Sequence, residues 1–150
     1  MIERLSTVAA ILLLAGCSTN VSRFQMPGTD LADVQRLYIN VAEEERETEE
    51  LLPLIRANLE GRGYEVMMSD QSVIFEQGDF KFDYAADWHW DMDWYLLDLR
   101  VAIYEPGTNI LLAQAHSQQS SLVRKSIDVV VERALASLFD DVLETKGDRE

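Results

Sequence analysis

The apolar positions of this chain change their period along its length, and each change marks an element. Leu37, Ile39 and Val41 alternate with Arg36, Tyr38 and Asn40, the period of two that a strand with one buried face requires, so Val34 to Val41 reads as a strand. Leu51, Ile55 and Leu59 then recur at helical spacing behind a run of glutamates, Glu43, Glu44, Glu45, Glu47, Glu49 and Glu50. Negative charge there opposes the partial positive end of a helix dipole. Thr48 is the expected N-cap, Pro53 shifts the start by a residue or two, and Gly61 and Gly63 end the helix. Tyr64 to Met68 resumes an extended strand.

From Val73 to Ser117 the period of two returns. Tyr84, Ala86, Trp88 and Trp90 alternate with Ala85, Asp87, His89 and Asp91, and Leu97, Leu99, Val101 and Ile103 alternate with Asp98, Arg100 and Ala102. Glu105-Pro106-Gly107-Thr108-Asn109 has turn composition, so Ile110 to Ser117 returns as the next strand of an antiparallel meander. Ser126 is expected to cap a last helix with the stripe Ile127, Val131, Ala134, Leu135, Leu138 and Val142. This order predicts an α+β two-layer sandwich: a mixed, mainly antiparallel sheet of about four to five strands with two helices on one face, the other face at least partly open. Trp88 and Trp90 are expected in the core. Trp94, off the strand register near a turn, is expected to be exposed.

The first residues follow a different pattern. The uncharged apolar run from Val8 to Gly16 is too short to cross a bilayer, which takes about 20 helical residues, but suits the apolar core of a secretory signal. Leu14-Ala15-Gly16-Cys17 resembles a bacterial lipobox, and Cys17 is the single cysteine of the chain. The resemblance implies a signal peptide over 1–16 and lipidation, with palmitate among the acyl groups, at Cys17. Each buried methylene of such an anchor contributes about 0.8 kcal/mol. The alternative for Cys17 is an unpaired thiol. Ser18, in place of the Asp that retains lipoproteins in the inner membrane, implies the periplasmic face of the outer membrane. Residues 17–32 then read as lipidated N-terminus and tether, 33–143 as the α+β domain and 144–150 as a polar tail.

Composition narrows the function. At 150 residues the chain holds one ordinary domain, and 47% hydrophobic residues supply a core. A formal charge of −14, from 27 acidic and 13 basic side chains, argues against nucleic acid and disfavours an anionic lipid surface. Removal of the signal takes away Glu3 and Arg4 together and leaves that balance unchanged.

The densest chemistry lies between Asp87 and Tyr95. On a strand Asp87, His89 and Asp91 share a face, and an imidazole between two carboxylates can hold a divalent metal or act as a base. The plainer reading makes them solvent-side residues, paired with Arg100 on the neighbouring strand. A metal needs three or four convergent ligands, and His116, the other histidine, lies on a different strand. Trp88, Trp90 and Trp94 can also form a stacking platform or an interface anchor. The chain lacks a G-x-S-x-G elbow, a phosphate-binding glycine loop and a zinc-protease helix. Ser117, Ser120 and Ser121 lie near His116 in sequence, which does not build a triad. No catalytic residue and no cofactor is expected. The glutamate run reads first as a charged helix start and second as a patch for cations or a basic partner.

Trp88-His89-Trp90-Asp91-Met92-Asp93-Trp94-Tyr95-Leu96 resembles a segment of a group of small lipoproteins of Gram-negative bacteria, with Trp90-Asp91, Tyr95-Leu96 and Tyr104 to Gly107 as the matching positions. Leu59-Glu60-Gly61-Arg62-Gly63-Tyr64 and the element order are similar to periplasmic α/β modules such as the TolB N-terminal domain and the lipoprotein activators of cell-wall synthases. Those are binding modules, so the resemblance implies a non-catalytic cell-envelope lipoprotein that presents its domain to a periplasmic protein or cell-wall material. The candidate interaction surface is Asp87, His89, Asp91, Trp94 and Arg100. The alternative is a metal-binding or metal-dependent envelope protein using Asp87, His89 and Asp91.

Overall fold

The computed structural model describes residues 19–40, 44–69 and 73–139. The segment 1–16, Cys17, Glu43, Val142 and the tail 144–150 lie outside the described residues. Six strands, β1 (Asn20–Gln25), β2 (Arg36–Asn40), β3 (Glu65–Ser69), β4 (Asp79–Trp90), β5 (Trp94–Tyr104) and β6 (Leu111–Gln118), form one mixed sheet in the order β1-β6-β5-β4-β2-β3. Two helices, α1 (Leu52–Gly61) and α2 (Ile127–Leu138), complete an α+β fold.

The sheet has six strands where about four to five were expected, and the additional one is β1. Residues 20–25, read as tether, pair antiparallel with β6 from Asn20 opposite Gln118 to Gln25 opposite Ala113. The side of β1 that faces the helices carries Arg23 and Gln25, so no apolar alternation announces it.

The helix before β3 also starts differently. Residues 45–46 are already helical, Glu47–Leu51 is π-helical and α1 continues from Leu52, so Pro53 lies within a continuous helical stretch and directly follows the π-helical turn. Thr48 is not a cap; its hydroxyl donates back to the Glu44 carbonyl at 3.1 Å. Gly63 stops α1 as the pattern indicated. At φ +97° it lets Tyr64 N–H reach the Leu59 carbonyl (3.2 Å) while its own N–H reaches that of Glu60 (3.0 Å), a Schellman closure. Ser126 occupies the N-cap position of α2 but makes no side-chain capping bond.

Leu37, Ile39, Phe82, Leu99, Val101 and Ile103 point from the sheet into a core closed by Ile55 and Leu59 of α1 and by Val131, Ala134, Leu135 and Leu138 of α2. On β6 the inward positions are Ala113, Ala115 and Ser117, all buried and all small, so α2 seats close to that strand. Both helices lie on this one side. They are tied to each other by Arg62 Nη2 on Glu132 Oε1 at 3.1 Å and by Tyr64 stacked on Phe139 at 4.7 Å.

The chain rises in the same direction through β2, β3 and β4, because β2 is parallel to both its neighbours. The crossover from β2 to β3 runs through α1. The crossover from β3 to β4 steps back across β2 in the opposite direction, and right-handedness then places it on the opposite face. Phe75, in that return, meets Tyr38 edge-on at 5.1 Å. The side of the sheet without helices is therefore partly roofed over β2, and among the described residues its uncovered part is β4, β5, β6 and β1, apart from Tyr95, which Arg124 covers.

Candidate interaction surface

On the uncovered side, register brings together residues from four strands. Asp87 faces Asp98, Ala85 faces Arg100, Arg100 faces His116, and His116 faces Ser22. Asp98, whose side chain is 9% exposed, is bracketed by two cationic or hydrogen-bonding neighbours: His116 Nε2 donates to its Oδ2, and Arg100 Nε lies 3.5 Å from its Oδ1. That bracketing keeps a nearly buried carboxylate compensated beside the like charge of Asp87. Beside it, Ala85 and Ala102 form the floor of a hollow of about 250 Å³ whose walls include Asp83, Arg100, Tyr104 and Gln114. Two alanines at diagonal positions create it, since their neighbours are long and they are not. Pockets that enclose a small ligand run to roughly 300–1,000 Å³, so this one suits an inserted side chain or a sugar edge rather than a swallowed molecule.

The five residues expected to form one surface divide into three places. Asp87 and His89 are exposed on β4, on the uncovered side, with the His89 ring 6.0 Å from that of Tyr95. Arg100 is exposed on β5 and joins Asp98 rather than Asp87, His89 or Asp91. Asp91 is not on the strand: β4 ends at Trp90, and Asp91 in the turn is held by Arg124, whose guanidinium also lies 4.2 Å over the Tyr95 ring. Trp94 belongs to the helix-facing side of the hairpin, opposite Trp90, with the Arg46 guanidinium 4.6 Å from its ring. Among the described residues no three His, Cys, Asp or Glu side chains converge to hold a metal ion. The Asp87–His89–Asp91 ligand set is thus not assembled, because the strand turns away before the third member.

The tryptophans correct the expectation of a buried pair. Trp88 packs partly against the core, with Arg46 5.5 Å over its ring, but Trp90 is 62% exposed, more than Trp94 at 46%. The alternation is real, yet β4 and β5 extend beyond the helices that would cover their ends. Asp98 and His116 were missed. The turn at Glu105 to Asn109 pairs Tyr104 with Leu111, but the register shifts by one residue between Ile103 and Tyr104, and only after that irregularity does His116 lie diagonal to Asp98, so the turn composition alone did not reveal the pair.

Near the start of helix α1, Glu47 is buried, and burial together with the neighbouring charge of Glu44 raises its pKa above the ordinary carboxylate value. Its neighbour Arg46 pairs with Glu50 at 3.1 Å. The glutamate run is in this way split between a buried member and solvated ones.

No family model matches the chain, and no curated protein sequence does. Its fold does have likenesses among solved structures. PelC from Paraburkholderia phytofirmans, solved as a dodecamer, superposes with a TM-score of 0.52, at 11% identity, over 83% of this chain and 97% of that one. A PelC variant from the same organism, also a dodecamer, gives 0.53 at 11% identity over 81% and 95%. At that identity the likeness is one of fold. A PDZ domain protein from Parabacteroides distasonis scores 0.48 at 10% identity, with 98% of this chain on 41% of that one.

Proposed function

We propose that this chain is a non-catalytic cell-envelope lipoprotein, anchored through Cys17 at the periplasmic face of the outer membrane, whose domain binds a periplasmic protein or cell-wall material on the uncovered side of its sheet. One observation carries the reading. Both helices pack on one face, and the other presents Asp87, His89, Arg100 and His116 around a hollow with an alanine floor. A polar rim around a small concavity is the anatomy of a contact surface. The lipobox-like Leu14 to Cys17 supports the anchor. The likeness to PelC adds that this fold is compatible with assembly from copies of one chain, so a copy of itself belongs among the partners to be tested.

The test is in-cell photocrosslinking of the anchored protein from position Ala85, on the hollow floor, against position Arg56, on the outward side of α1. One discrete product from Ala85 that is absent from Arg56 and lost on Arg100→Glu is the expected result, and its mass tells a copy of the chain from a different molecule. Indistinguishable product patterns from the two positions would sink the surface. Labelling with an alkynyl palmitate, abolished by Cys17→Ser, tests the anchor separately.

A further inference from the structure

The strand register fixes which end of the sheet the N-terminal segment leaves from. β1 begins at Asn20, opposite Gln118; Gln118 faces Asp98; and Asp98 lies four residues from Trp94, which closes the β4–β5 hairpin against Trp90. The chain before β1 therefore departs from the same end as that hairpin tip. Cys17 precedes Asn20 by three residues, a reach of at most about 10 Å. The hairpin runs on past the level of Asp98 by up to about 13 Å at 3.3 Å per residue. An acyl group on Cys17 thus puts the tip within reach of the membrane surface.

The tip has the chemistry of that level. Met92 is 90% exposed at the turn, flanked by Trp90 and Trp94, and Leu122, in the loop after β6 at the same end, is 84% exposed. Such apolar projections standing in water are costly unless something covers them. Indole rings favour the headgroup region, where an apolar body and a polar N–H are both accommodated. Of the two carboxylates in the turn, Asp91 is paired with Arg124, and Asp93, exposed, accepts from Trp94 N–H at 2.8 Å through Oδ1. Arg46 braces the Trp94 ring from the helix side. A charge of −14 disfavours an anionic lipid surface, so a zwitterionic leaflet is the better match.

We propose that Trp90, Met92 and Trp94 insert into the headgroup region of the zwitterionic phospholipid leaflet that holds the acylated Cys17, a second point of attachment beside the anchor. This rests on the lipidation in the reading above, and the experiment separates the two. Full-length acylated protein is reconstituted into phosphatidylcholine–phosphatidylethanolamine vesicles with and without brominated phosphatidylcholine, and tryptophan emission is followed. The expected result is a blue shift and quenching by the brominated lipid. Both are lost in the Trp90→Phe/Trp94→Phe double variant, which retains Trp88, and weakened in Met92→Glu, whose exposed side chain can change without disturbing the fold. Emission that stays open to aqueous acrylamide and insensitive to bromine, in protein that is acylated and sediments with the vesicles, overturns this proposal and leaves the anchor standing. Emission shielded from both quenchers means that protein covers the tip and overturns it equally. An unmodified Cys17 by mass overturns the anchor and this proposal together.

Discussion

The two ends of β4 use arginine in opposite ways. At its start Asp79 has a fully buried side chain, and Arg36 reaches over from β2 to pair with it at 3.0 Å while also meeting Glu76 at 3.1 Å and Glu65 at 3.8 Å. Glu76 N–H donates to the second Asp79 oxygen at 2.8 Å, so this carboxylate is held on both sides. Those carboxylates raise the Arg36 pKa further, the hydrogen bond to Glu76 most and then the charge of Asp79. At its other end β4 leaves Trp90 in solvent, and Arg46 and Arg124 brace aromatic rings from the helix side and from the loop before α2. The first arrangement compensates a charge that folding has removed from water. The second stiffens an apolar projection that folding has left in water. One end is built for stability and the other for presentation.

The largest expected effect comes from unbalancing the first end. Arg36→Met leaves the Asp79 carboxylate buried without its cation, and a chemical-denaturation midpoint well below that of the parent is expected. Adding Asp79→Asn recovers part of the loss, because the uncompensated charge is gone. A double variant no better than the single one would mean that Arg36 acts by packing alone. At the tip the same change, Arg46→Met, is expected to cost only about 1 kcal/mol, the scale of a partly exposed cation–aromatic contact, and to leave the denaturation slope unchanged.

The smallest effect concerns Glu47, beside Arg46, and runs the other way. Its folded-state pKa is raised, by burial first and by Glu44 second, so the folded chain holds that proton more tightly than the unfolded chain does. Stability from this group is complete below the ordinary carboxylate pKa and is lost as pH rises through the raised folded value. Glu47→Gln should therefore match the parent at about pH 3 and exceed it in melting temperature at pH 7. Equal melting temperatures at both values would show that Glu47 carries no such cost.

How much of this was legible depends on which physical force shaped each segment. Wherever a strand or helix buries one apolar face, as Leu37 and Ile39, Leu99 to Ile103, or Val131 to Leu138 do, the period appears in the sequence and the element follows. β1 is held by backbone pairing to β6 at an edge, with Arg23 and Gln25 on its helix-facing side, and backbone hydrogen bonds leave no side-chain signature. The site was legible in part. Asp87, His89 and Arg100 do share the uncovered side, whereas Asp91 and Trp94 leave it because the strand ends and because the hairpin register shifts at Asp87/Trp88. Asp98 and His116 meet only through the fold, from positions 18 residues apart.

That shift in register has a consequence for how this hairpin tolerates changes in length. Asp87 faces Asp98 and Trp88 faces Leu96, so Leu97 is a supernumerary residue with no counterpart on β4. It absorbs a change of phase. A strand shortened by one leucine here, Leu96 or Leu97, leaves the same chain, in which the remaining leucine stays beside Trp88, Tyr95 beside His89 and Trp94 opposite Trp90. Position 97 is the joint at which the outer arm of the hairpin can be refitted while the body of the sheet stays in frame.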